Sequence, residues 1–198
     1  MVGEEKIGKK PGEWYSPSEI AFVLREQCEF AHTNFKVLVM DSEFELTSSI
    51  KELSDSSSAF SSALIIILTR IGYTKPEEQY LQTVIELLKQ EASFIGILGG
   101  RPGKAHYIFG TTDTSFIYLD PHCVKVQKNI ESFFSDKIFS IAHDKIDPSM
   151  GLCFYVKNIS ELVLLNEKLS ALNKSLPVYS HSKEDMNIIE EEEEFIVL

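Results

Sequence analysis

Apolar residues recur along this chain in two rhythms, one helical and one extended, and the order in which these segments alternate outlines a mixed domain. Ile20, Val23, Leu24, Cys28 and Ala31 return at the intervals of a single helix face. Immediately before them, in Ser16-Pro17-Ser18-Glu19, Ser16 is placed to cap, Pro17 suits the first helical position and Glu19 completes a capping box. Residues 35–40 read as a strand, 43–53 as a short helix and 54–62 as a polar loop. The unbroken apolar run over 63–69 has the length of a strand, which predicts a buried central one. Thr74-Lys75-Pro76-Glu77 repeats the capping pattern before a helix whose buried face is Tyr80, Leu81, Val84, Ile85 and Leu88. Strands follow at 94–98, 105–111 and 115–119, the last two joined through Thr112-Asp113-Thr114. Strands at 138–141 and 152–156 and a helix over 158–172, with Asn158 and Glu161 spaced as a capping box, complete the body. This mixed order predicts an α+β fold, a mostly antiparallel sheet flanked by helices.

Composition narrows the picture. The chain has 198 residues and is 43% hydrophobic, enough for one ordinary core. Its longest apolar run, 63–68, is far too short to span a bilayer, and the charged N-terminus lacks an apolar segment of signal-peptide type. We therefore expect a soluble, cytoplasmic protein. Three cysteines without metal-ligand spacing fit a reducing compartment and point away from a disulfide framework or a zinc site. The net charge of −11 disfavours nucleic acid as a partner. Residues 183–198 carry −6 of it, so 176–198 reads as an acidic disordered tail on a domain formed by 1–175.

Candidate chemistry concentrates in Phe116-Ile117-Tyr118-Leu119-Asp120-Pro121-His122, downstream of the glycine-rich Ile97-Leu98-Gly99-Gly100-Arg101-Pro102-Gly103-Lys104. On extended backbone, residues two apart share a side, so Asp120 and His122 would project together, a carboxylate orienting an imidazole base. An aspartate in a turn beside an exposed histidine is the plainer reading of those two residues alone. Among the cysteines, Cys28 lies on the apolar stripe of its helix and Cys153 in a sheet interior. Cys123 adjoins His122, but neighbours on extended backbone face apart. Only a bend near Pro121 would pair them, and Cys123 is a minor candidate nucleophile. His106 reads as a satisfied structural histidine, and His32, His143 and His181 carry no signal. Asp147-Pro148-Ser149 is most simply a turn.

Taken with Gly8-Lys9-Lys10-Pro11-Gly12-Glu13-Trp14-Tyr15-Ser16-Pro17, Ile146-Asp147-Pro148-Ser149 and the terminal Glu-Phe-Ile-Val-Leu, these motifs resemble the autophagins, cysteine endopeptidases of autophagy, and look like the C/D branch found in animals. The resemblance implies a partial papain-like cysteine protease fold. It implies His122 as general base and acid, with Asp120 as its orienting carboxylate. Trp14 and the loop Gly100, Arg101, Pro102 would form a gate over the substrate cleft. The implied substrate is a ubiquitin-like modifier of GABARAP type, trimmed after a glycine or released from phosphatidylethanolamine. Membrane contact would then come only through lipidated substrate, and neither metal nor organic cofactor is expected. In the family the nucleophilic cysteine lies in a Gly-Trp-Gly-Cys-Met segment well N-terminal to Gly-Glu-Trp-Tyr, and this chain begins almost at the latter. No matched nucleophile is present, so the chain alone is expected to be inactive. The alternative is a non-catalytic modifier-binding protein or a truncated isoform acting through its C-terminal motif. Phe195 and Leu198, behind Glu190 to Glu194, match the short motif that binds the same modifier by adding a strand to a sheet edge.

Overall fold

Helix α1 (Pro17–Phe30) starts where the sequence places its cap: the Ser16 hydroxyl accepts the Glu19 N–H, and the Glu19 carboxylate accepts the Ser16 N–H at 2.8 Å. Such a cap contributes about 1 kcal/mol. The computed structural model describes residues 3–10, 13–32, 35–40, 62–122, 131 and 137–172. The expected helix at 43–53, Gly12, Cys123 and the tail with Phe195 and Leu198 lie outside the described residues.

Seven strands form one sheet: β1 (Phe35–Met40), β2 (Ser62–Arg70), β3 (Phe94–Arg101), β4 (Lys104–Thr111), β5 (Ser115–Leu119), β6 (Phe139–Ala142) and β7 (Ser149–Val156). Their order is β1-β2-β7-β3-β4-β5-β6, and only β1 and β2 run parallel. Helix α2 (Glu78–Gln90) lies between β2 and β3 in sequence, and α3 (Ile159–Leu172) follows β7. This is the α+β, mostly antiparallel arrangement that the sequence predicts, consistent with a papain-like protease fold.

The unbroken apolar run of β2 is explained by burial on both sides. Ile65 and Ile67 join a large core with Leu152 and Phe154 of β7, Ile97, Ile108 and Phe116, closed by Leu81, Val84 and Ile85 of α2 and Leu162 and Leu165 of α3. Ile66 and Cys153 point the other way, into a smaller core that Ala21, Leu24 and Cys28 of α1 cover. β2, with its unbroken apolar run, is thus an internal strand with helices on both faces.

Three details depart from expectation. Thr74 does not cap α2. The helix begins at Glu78, with Glu77 in extended backbone and its N–H donated to the Ile71 carbonyl at 2.7 Å. The ring of Pro76 pushes Lys75 away from the helical region, so a helix cannot start at Thr74. At α3, Asn158 does accept the Glu161 N–H, but the Glu161 carboxylate accepts from Lys157 instead of Asn158, a box shifted by one residue. Finally, β3 runs on through Gly99, Gly100 and Arg101, which pair with His106, Ala105 and Lys104. Only Pro102 and Gly103 remain outside the ladder, and proline followed by a glycine of φ +75° is the type II turn pattern. Gly100, at φ +149°, is required there: a Cβ would collide with the Lys104 carbonyl and press on the His106 N–H at 2.9 Å. This hairpin is tied from the side, because the Asp147 N–H donates to the Gly100 carbonyl at 2.8 Å.

Candidate active site

Beyond Leu119, where β5 ends, the backbone turns. Asp120 Oδ1 accepts the His122 backbone N–H at 2.9 Å and shares a hydrogen bond with His122 Nδ1 at 2.7 Å. An aspartate that bonds the backbone two residues on makes an Asx turn, and Pro121 between them has the fixed φ that suits it. Asp120 and His122 therefore meet as the sequence suggests, but through this turn and not through the alternation of a continued strand. The His122 hydrogen bonds, from its backbone first and its ring second, hold the Asp120 carboxyl below its usual range. An ionised carboxylate on Nδ1 fixes the imidazole tautomer and leaves Nε2 for outside chemistry.

Trp14 covers this imidazole. Its ring stacks on His122 with centroids 5.7 Å apart and planes 16° from parallel, while 49% of the residue stays exposed. The backbone that carries it is anchored: Lys9 Nζ donates to the Trp14 carbonyl at 2.7 Å and pairs with Glu19 at 3.3 Å. Glu13 accepts the Lys10 N–H at 2.8 Å on the same turn.

His106 corrects the sequence reading. It is buried on β4, but it is not satisfied: neither ring nitrogen has a hydrogen-bond partner among the described residues. Its Nδ1 stands 4.0 Å from Asp120 Oδ1, its ring stacks on Tyr118 at 4.1 Å, and it meets His122 edge-on at 5.9 Å. Burial pushes its pKa down against the opposing charge of Asp120, and the positive charges of His122, Arg101 and Lys104 lower it further. The alternation of β4 could have put His106 either in the sheet or beside the site, and the structure does both.

The two described cysteines are distant in role. Cys153 is buried in β7, its thiol pushed up to about 12 by loss of water, so it stays protonated and unreactive at neutral pH. Cys28 packs half-buried against the smaller core. What the described residues assemble is an oriented imidazole under an aromatic lid, equipped to move protons for a nucleophile.

A family model described as the peptidase C54 catalytic domain matches residues 1–168, most of the chain. The chain belongs to the autophagin family, peptidase C54. Among curated relatives of this autophagin chain, the cysteine protease ATG4C of Xenopus tropicalis is 30% identical over 179 residues, which is 85% of this chain and 40% of the relative. Human cysteine protease ATG4C is 27% identical over 186 residues, 86% of this chain and 40% of the relative. The probable cysteine protease ATG4 of Scheffersomyces stipitis is 26% identical over 203 residues, 96% of this chain and 39% of the relative. The chain thus spans about two fifths of the length of these proteins. The matched region holds Trp14, the Gly100-Arg101-Pro102 hairpin, His106, Asp120 and His122 together. No helix among the described residues is long and apolar enough to cross a membrane.

Proposed function

We propose that this chain carries the histidine and aspartate portion of an autophagin active site, in which His122 is general base and acid and Asp120 its orienting carboxylate. The observation that carries the reading is the 2.7 Å hydrogen bond between His122 Nδ1 and Asp120, with Nε2 left for a thiol. The nucleophile comes from outside the described residues. The reaction is thiol-dependent cleavage of a ubiquitin-like modifier after its C-terminal glycine, in precursor form or conjugated to phosphatidylethanolamine, in a reducing compartment such as the cytoplasm. Trp14, stacked over the imidazole, and the Arg101-Pro102 turn are the elements that would admit the modifier's tail. Because Gly99 and Gly100 are held in the ladder, any hinge is confined to Pro102 and Gly103.

The test is incubation with a modifier precursor bearing residues beyond its glycine, read by intact mass. We expect no product from this chain alone. We expect product when a relative's cysteine-bearing N-terminal segment is supplied, and none when His122 is replaced by Ala in that mixture. Cleavage by the chain alone that Cys123→Ala abolishes would overturn the assignment of the nucleophile.

A second reading is favoured by the pattern Glu190 to Glu194 followed by Phe195 and Leu198. It is a binding motif by which the chain captures the same modifier without cutting it, Phe195 and Leu198 anchoring in two pockets. Retained binding of a GABARAP-type modifier after Phe195→Ala would sink it.

A further inference from the structure

The orphaned His106 is the least economical feature of the molecule. A buried imidazole with no partner on either nitrogen among the described residues is a cost that native interiors rarely carry, and each such group calls for a physical reason. It also does not stand alone, because His106, Asp120 and His122 each place a ligand atom within 4.8 Å of the others.

We infer that these three residues form a binding site for a divalent transition ion of the zinc type. Two imidazoles and one carboxylate are a borderline nitrogen and oxygen set, suited to Zn2+ and its neighbours and ill suited to Mg2+, which asks for oxygen ligands and keeps its water. Zinc bonds of about 2.0–2.1 Å in a tetrahedron put ligand atoms about 3.3 Å apart. The observed separations, 2.7 Å from His122 Nδ1 to Asp120 Oδ1 and 4.0 Å from His106 Nδ1 to the same oxygen, straddle that edge length. Small side-chain rotations of the exposed His122 and of Asp120 therefore suffice, while the buried His106, clamped against Tyr118, stays where it is. On binding, His122 gives up its hydrogen bond to Asp120 and turns one ring nitrogen to the ion, its proton resting on the other. The fourth position belongs to water, or to whichever thiol reaches His122.

The consequence for chemistry rests on the proposed role of His122: an imidazole bound to the ion is no longer free to accept a proton, so the ion and catalysis exclude each other. In a cell, free zinc would then set the fraction of competent sites.

The test is calorimetric titration of the intact chain with zinc chloride, Co2+ as a spectroscopic probe of geometry and Mg2+ as the negative control. We expect one ion per chain, a cobalt spectrum of tetrahedral type and no response to Mg2+. His122→Ala and Asp120→Asn should each weaken binding by more than the ~10–100-fold typical of outer-shell changes. His106→Gln should do the same, checked by its thermal melt. The two turn variants lie outside the core, His122 exposed and Asp120 partly so, and keep the test valid should His106→Gln unfold. Equal binding by the wild type and the two turn variants would place the ion elsewhere, on cysteines or tail glutamates, and overturn the site, as would absence of binding. Cleavage assays in chelator, on the chain supplied with a relative's cysteine-bearing segment, address the role of His122 separately. Zinc binding that fails while chelated cleavage depends on His122 refutes this inference alone. Binding as expected with cleavage indifferent to His122 refutes the catalytic reading alone.

Discussion

The two ends of β5 each hold a histidine packed on an aromatic ring of that strand, and their surroundings differ in kind. At the start of the strand, His143 lies against Phe116 with centroids 4.5 Å apart, and its Nε2 shares a 2.9 Å hydrogen bond with the Thr111 hydroxyl. At the far end, His106 lies against Tyr118 at 4.1 Å with no such partner among the described residues, facing a carboxylate and a second imidazole. Burial lowers the pKa of both. Each has an aromatic ring against it, but His106 is buried and His143 only partly so, and their polar accounting differs. One end is finished as a structure, whereas the other keeps unspent hydrogen-bonding capacity at the place where chemistry is expected.

That contrast can be broken most directly by activity. In a peptidase completed with its cysteine segment, His122→Ala should lower the rate of modifier cleavage at least about 100-fold, the contribution usual for a general base. His143→Phe should leave the rate essentially unchanged, and a comparable loss at both ends would erase the distinction. Stability sharpens the comparison next. His106→Phe removes two orphaned nitrogens and should raise the unfolding free energy by about 1 kcal/mol, while His143→Phe forfeits a made hydrogen bond and should lower it by about as much. Urea midpoints at unchanged slope read both signs, and a loss at His106 would show that it has a partner after all.

The smallest effect is in pH. The pKa of His143 in the fold is depressed by burial, although the Ser115 carbonyl and the charges of Glu78 and Asp144 oppose the shift, while Lys89 adds to it. A depressed pKa means that the folded form binds the proton less readily than the unfolded chain. Its contribution is therefore complete above the usual histidine value of 6.5 and is lost as pH falls through the lowered pKa. Thermal melts from neutral to mildly acidic pH should show this decline, and His143→Phe should remove part of it. An unaltered pH profile in that variant would mean that His143 titrates alike in both states.

How much of this was legible in the residues follows from what kind of force places each one. The limits of β1 and β5 could be read directly because apolar runs and turn residues mark them on both sides. The α1 cap was legible because Ser16, Pro17 and Glu19 act within one turn of each other. The extension of β3 through two glycines was not, since glycine carries no strand preference and the pairing with β4 decides it. Asp120 beside His122 was legible as a pair but not as an Asx turn. The stacking of Trp14 on His122 and the orphaned state of His106 depend on contacts between segments far apart in sequence, which no local pattern encodes.

The position of β7 has a consequence in time. It is the last strand among the described residues, yet it lies in the middle of the sheet, between β2 and β3, pairing with β2 from Ala63↔Val156 to Arg70↔Ser149. Until it arrives, β1 with β2 and the meander from β3 to β6 are two separate ribbons, each presenting an unpaired inner edge. Contacts spanning so much chain form late and slowly. During synthesis these edges wait exposed for residues 149–156 to leave the ribosome, and a messenger cut short before that codon would yield not a smaller domain but a sticky one, open to edge-to-edge association.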